Sequence, residues 1–223
     1  IRKDLDTAGF LLKTEDYINN VGRSERTDVP VEPRLTLQWF VDMKDFAATA
    51  LQAVKSNEVE FFPPHFINMY ENWLKEENVR DWCISRQLWW GHQIPAWYLE
   101  DEIFVAHNEE EALQQARRKL GNHVQTSDLK RDEDVLDTWF SSMLWPISVF
   151  DGFKDQKELQ YYYPTQVLVT AWDIIFFWVA RMVMAGYEWS ETLLGAQHTN
   201  AKGKQPFEHV YFTGMVRDNQ RRK

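Results

Sequence analysis

Residues 166–186 read Q-V-L-V-T-A-W-D-I-I-F-F-W-V-A-R-M-V-M-A-G, and no other segment constrains the fold as tightly. Their length suits a membrane span, but Asp173 and Arg181 lie within them, and burying either charge in lipid is costly. The segment divides instead into a strand at 166–170 and a helix at 173–185. The strand has the continuous apolar character of one buried in a sheet. The helix is apolar nearly all round, which predicts a buried helix.

The rest of the chain repeats this alternation. Residues 38–43 and 59–62 predict strands. Residues 44–56 predict a helix with Phe46, Ala47, Ala50, Leu51 and Val54 on one face. In 64–77, Phe66, Met69, Tyr70, Trp73 and Leu74 follow helical spacing, with Pro64 near the start. Residues 80–86 and 94–99 predict extended chain, 102–106 a strand, 109–120 a surface helix, and 121–133 a polar loop. A short apolar helix falls within 136–146, and 209–213 predicts a last strand. Residues 188–205 are polar and predict a flexible connection. Strands alternating with helices predict an α/β fold on a parallel sheet. A weak helix is predicted near 1–8, and the charges and prolines of 22–33 read as a linker. The chain stops after a strand and a basic turn, which reads as a truncation.

The formal charge of −9 argues against a general basic coat for nucleic-acid phosphates. One cysteine, Cys83, excludes an internal disulfide and any cysteine-rich zinc site. No signal peptide is recognised at the start, and a cytoplasmic protein is expected.

The candidate chemistry lies at strand ends. Asp173 follows the strand at 166–170, where it is placed either to cap the next helix or to hold a ribose hydroxyl. Trp178 lies five residues further on, and Trp139 follows Asp134 and Asp137 in D-V-L-D-T-W-F-S-S. If the two indoles face each other, they form a rigid slot selecting a small aliphatic side chain by shape. Trp89, Trp90 and Trp97 flank Gly91 and Pro95, and read as buried aromatic packing around a turn, beside the bidentate donors Arg86 and Gln87. No Walker A loop, G-x-G-x-x-G or G-x-S-x-G is present.

Four motifs taken together, D-W-C-I-S-R-Q-L-W-W-G-H-Q-I-P-A-W-Y, D-V-L-D-T-W-F-S-S, D-I-I-F-F-W-V-A-R-M and V-Y-F-T-G-M-V-R-D, closely resemble the valyl-tRNA synthetases, a class I aminoacyl-tRNA synthetase family. The resemblance runs in order over most of the chain. It implies the second half of a Rossmann-like parallel-sheet catalytic domain. Residues 1–33 would be the tail of the editing insertion and linker, and 34–223 the catalytic part, with a small inserted section at about 99–133. It implies a valine pocket at Trp139, Ile174 and Trp178. Asp173 would hold the ribose, and Gly214, Met215 and Val216 would read adenine. Lys223 would begin the K-M-S-K-S motif, whose remainder, like H-I-G-H, is missing. ATP with Mg²⁺, valine, tRNA(Val) and the remainder of the same polypeptide are the implied substrates and partners, with no membrane. The chain alone is expected to be inactive. Ala171 stands where relatives commonly carry glycine, and its methyl would crowd the nucleotide. Residues 21–26 and 100–131 lack cysteine, so no structural zinc is expected. An isoleucine-type synthetase and an aromatic-rich nucleic-acid-binding module stay open as alternatives.

Overall fold

A computed structural model of the chain describes residues 1–24, 27–150 and 156–222. It divides into two units, Ile1–Leu37 and Gln38–Lys223. The first has a short helix, α1 (Arg2–Thr7), and a bridge between Arg23 and Pro30. None of its described residues is buried, so apolar packing does not hold it together.

The second unit is built on a parallel sheet. After β1 (Phe40–Val41) and α2 (Lys44–Lys55), the chain enters β2 (Glu60–Phe62) and α3 (Phe66–Leu74). Then come the two-residue strands β3 (Trp82–Cys83) and β4 (Ser85–Arg86). The hairpin strands β5 (Ala96–Leu99) and β6 (Glu102–Val105) lead to α4 (Glu109–Leu120). Next are β7 (Lys130–Arg131), β8 (Val135–Leu136), and the helices α5 (Thr138–Ser142), α6 (Trp145–Ser148) and α7 (Gln156–Tyr162). The last elements are β9 (Thr165–Ala171), α8 (Ala180–Leu194), α9 (Ala196–Lys202) and β10 (Phe207–Thr213).

Strands β2, β10 and β9 form a three-stranded parallel sheet in that order. Helices α2, α3 and α8 share one core with it. Ala47, Ala50, Ala53 and Val54 give α2 a small buried face, so it packs closely against α8. From the strands, Phe61, Val210 and Phe212 enter this core. Tyr70 is fully buried, meets Phe61 edge-on at 5.0 Å, and donates its hydroxyl to the Ala50 carbonyl at 3.2 Å.

The segment from β5 to β7 has its own small core. Strand β5 pairs antiparallel with β6 and β7, and α4 covers them around Trp97, Phe104, Ala112 and Ala116. The Asn108 side chain caps α4 by accepting from the Glu111 N–H.

Several expectations require correction. Residues 188–205, expected as a flexible connection, carry the end of α8 and all of α9. Their polar composition belongs to helices with one buried side, seen at Ser190, Leu194 and Thr199. The expected loop at 121–133 contains a 3-10 turn, Thr126–Asp128, and β7. Helix α7 is an element that the sequence pattern does not predict. Strand β9 is not buried on both faces. It lies at the sheet edge, and Val167 and Val169 are 53% and 60% exposed. The helix expected over 173–185 begins only at Ala180, behind two tighter and wider turns. Trp89 and Trp90 are exposed, while Trp97 is buried. No helix among the described residues is long and apolar enough to cross a membrane.

Candidate active site

The parallel register fixes where the site residues emerge. Thr213 of β10 lies opposite Ala171 of β9. Two expected nucleotide-binding segments therefore leave neighbouring strands at the same, carboxyl edge of the sheet. Gly214, Met215 and Val216 follow β10, and Asp173 follows β9. This edge is where open parallel sheets bind ligands. Gly214 and Val216 are exposed, and Met215 and Asp173 are half-buried. A Cβ at Gly214 would meet nothing within 4 Å, so backbone there faces open space. Ala171 has φ −74° and ψ 151°, ordinary extended values. Alanine is therefore free of backbone strain at this position.

Beyond β9 the backbone changes pitch twice. Trp172–Ile174 form a 3-10 turn, and Ile175–Val179 a π-helical turn. Asp173 sits inside the 3-10 turn, so it caps no α-helix. The π turn sends successive side chains in different directions, as such turns do at functional sites. Ile175 and Val179 are buried. The Phe176 ring stacks on Trp73 of α3 at 4.9 Å. The Phe177 ring stacks on Trp139 of α5 at 5.8 Å, with planes 26° apart. The Trp178 indole N–H donates to the Ser142 carbonyl at the end of α5, at 2.9 Å.

Trp139 and Trp178 thus lie where α5 meets the turn after β9, and Ile174 ends the 3-10 turn just before it. The slot differs from the expected one: the ring stacked on Trp139 is Phe177. Trp178 joins α5 through its N–H, edge towards the backbone. Phe177 and Ser142 were not singled out in the sequence. The extra residue of a π turn leaves no mark on hydrophobic periodicity.

A charge cluster lies at the start of α5, with Asp137 and Arg181 buried and Arg86 half-buried. The Asp137 carboxylate accepts from the Trp82 indole N–H at 3.0 Å and lies 3.1 Å from Arg86 Nη2 and 3.7 Å from Arg181 Nη1. The Arg181 guanidinium sits 3.6 Å from the centre of the Trp82 ring, a close cation–π contact. Burial pushes its pKa down to about 10, with Asp137 opposing that shift. Cys83 is half-buried, with Sγ 3.7 Å from Gln38 Oε1. No three His, Cys, Asp or Glu side chains group as metal ligands among the described residues. Beyond Val216, Arg222 folds back on Asp218, its Nε 2.7 Å from the carboxylate, whose pKa those hydrogen bonds lower. Lys223 lies outside the described residues.

Known proteins complete the comparison. The family model for class I tRNA synthetases (I, L, M and V) matches residues 4–223. The chain belongs to this family. A valine–tRNA ligase from Parabacteroides distasonis is 56% identical over the whole of this chain, which spans 24% of that protein. One from Thermotoga maritima is 48% identical, with the same coverage. The synthetase chain therefore spans about a quarter of the length of these relatives. Its fold is similar to that of Mycobacterium tuberculosis methionyl-tRNA synthetase, with a TM-score of 0.52 over 92% of this chain and 32% of that one, at 14% identity.

Proposed function

We propose that the chain is part of a valine–tRNA ligase and forms the amino-acid wall and the nucleoside side of its active site. The observation that carries this reading is the junction of α5 with the turn after β9, where Phe177 stacks on Trp139 and Trp178 bonds the Ser142 carbonyl, in the same turn segment that carries Asp173 beyond the carboxyl end of β9. The names of the relatives favour valine over isoleucine, and membership of the family disfavours a stand-alone nucleic-acid-binding module.

In the reaction, the valine carboxylate attacks the α-phosphorus of ATP. Pyrophosphate leaves, valyl-adenylate forms, and the valyl group then passes to a tRNA hydroxyl. No enzyme nucleophile is required, so the protein acts by positioning and by stabilising phosphoryl charge. Trp139, Ile174 and Trp178 form a rigid apolar wall for a branched aliphatic side chain. A wall of this kind discriminates one methylene by about 1–3 kcal/mol. The Asp173 carboxylate accepts from ribose hydroxyls, and the backbone of Gly214, Met215 and Val216 lines the adenine. Mg²⁺ enters with ATP as part of the nucleotide substrate. Lys223 would begin the K-M-S-K-S motif. Residues 1–33 form the return from an editing insertion, and 34–223 the second half of the catalytic domain, with 99–133 as its small inserted section. An enzyme acting on tRNA would work in the cytoplasm.

The test is amino-acid-dependent ATP–pyrophosphate exchange by the complete protein. Valine is expected to stimulate exchange. Stimulation by isoleucine alone would overturn the assigned substrate, and no stimulation by any amino acid would overturn the activity. The 223-residue chain by itself is expected to show no exchange.

A further inference from the structure

Asp137 immediately precedes α5, where an aspartate ordinarily caps the helix. Its side chain makes no capping bond. Both carboxylate oxygens turn into the protein instead. Oδ2 takes the Trp82 indole N–H and faces Arg181 Nη1, and Oδ1 faces Arg86 Nη2. The same Nη1 of Arg181 donates to the Phe177 carbonyl at 3.3 Å. A single nitrogen thus stands between the start of the helix carrying Trp139 and the π turn carrying Phe177 and Trp178. The Arg181 face is fixed on Trp82, and its Cζ is 5.9 Å from the Phe177 ring centre. Arg86 is held from the other side, where Nη1 donates to the Cys83 and Ser85 carbonyls, both at 2.8 Å.

We infer that Asp137, Arg181 and Arg86 form a clamp that sets the spacing between Trp139 and the π turn, and so fixes amino-acid selectivity without touching the substrate. They are positioning residues. The inference rests on the proposed wall for valine. Lysine cannot replace Arg181 in this role. It keeps the charge opposite Asp137 but lacks the planar face that lies on Trp82.

The test uses the complete protein and compares wild type with Arg181→Lys and Arg86→Lys. Active-site titration counts folded sites, and exchange kinetics give KM for valine, KM for ATP, kcat, and the valine-to-isoleucine ratio of kcat/KM. Arg181→Lys is expected to raise the valine KM about tenfold and to lower the valine-to-isoleucine ratio by a similar factor. The ATP KM stays unchanged. Arg86→Lys, at the more exposed end of the cluster, shifts the same quantities less. Fewer active sites with wild-type KM values and ratio would overturn the clamp, because a structural role alone does that. If Arg181→Lys leaves no folded sites, Arg86→Lys decides by the same criterion, and loss of folded protein in both also overturns it. If wild type responds to another amino acid, the valine reading fails, and the clamp is judged by the KM of that amino acid against ATP.

Discussion

Asp137 is a carboxylate with almost no access to water, held between two guanidinium groups and an indole. Breaking such an arrangement by removing one member costs about 3–5 kcal/mol, because a buried charge is left without its partner. Asp137→Ala is therefore expected to destabilise the domain by about that amount, read as an earlier transition in urea unfolding of the complete protein. An unchanged transition would contradict the burial of the pair. Tyr70 offers a milder case. Its hydroxyl is buried against the Ala50 carbonyl, and burial holds its pKa far above the usual phenol range. Tyr70→Phe is expected to cost about 1 kcal/mol, the net worth of one neutral hydrogen bond, in the same assay. The sequence displayed both charges: Asp137 in a motif of aromatics and Arg181 in an otherwise apolar segment. It did not display that they meet, since the contact spans 44 positions and depends on how α5 and α8 pack.

Among elements, α8 carries the clearest constraint. Gly186 lies inside it, where alanine ordinarily stabilises a helix by about 1 kcal/mol. Here a Cβ would stand 2.7 Å from Tyr163 Oη, 2.9 Å from the Lys204 carbonyl and 2.9 Å from Pro206 Cδ. Tyr163 leads into β9 and Pro206 into β10, so the glycine lets the helix lie against both strand entries. Gly186→Ala is expected to lower the melting temperature despite its helix propensity, with overpacking costing about 1–3 kcal/mol. A raised melting temperature would mean that the close approach is absent. The elements most legible in the sequence were α2 and α4, whose periodicity is regular and whose ends match closely. The turns after β9 were not legible. A 3-10 and a π turn in series keep the apolar composition of a buried helix while changing where each side chain points.

At the scale of the second unit, helices among the described residues cover one face of the parallel sheet and leave apolar side chains exposed on its strands. Val167, Val169 and Tyr211 are each more than half exposed on strands β9 and β10. All-parallel sheets are ordinarily covered on both faces, and exposed apolar patches and open strand edges associate. The 223-residue chain alone is expected to self-associate at micromolar concentration, and Val169→Asp to reduce this in sedimentation velocity. A monodisperse monomer would contradict the exposed face as a source of association. The α/β class and the parallel sheet were legible from the alternation of elements. The edge position of β9 was not, because a run such as V-L-V reads alike whether one face or both are covered.

On the proposed reading, the segment after β9 divides the labour, with Trp178 and Trp139 of α5 holding the amino acid and Asp173 holding the nucleotide. The most direct measurement compares Trp178→Ala with Asp173→Ala in the complete protein by ATP–pyrophosphate exchange, with valine and ATP varied separately. The account predicts that Trp178→Ala raises the valine KM and admits isoleucine while the ATP KM holds, and that Asp173→Ala raises the ATP KM while amino-acid selectivity holds. Equal effects of both variants on both substrates, or the reverse pairing, would contradict it.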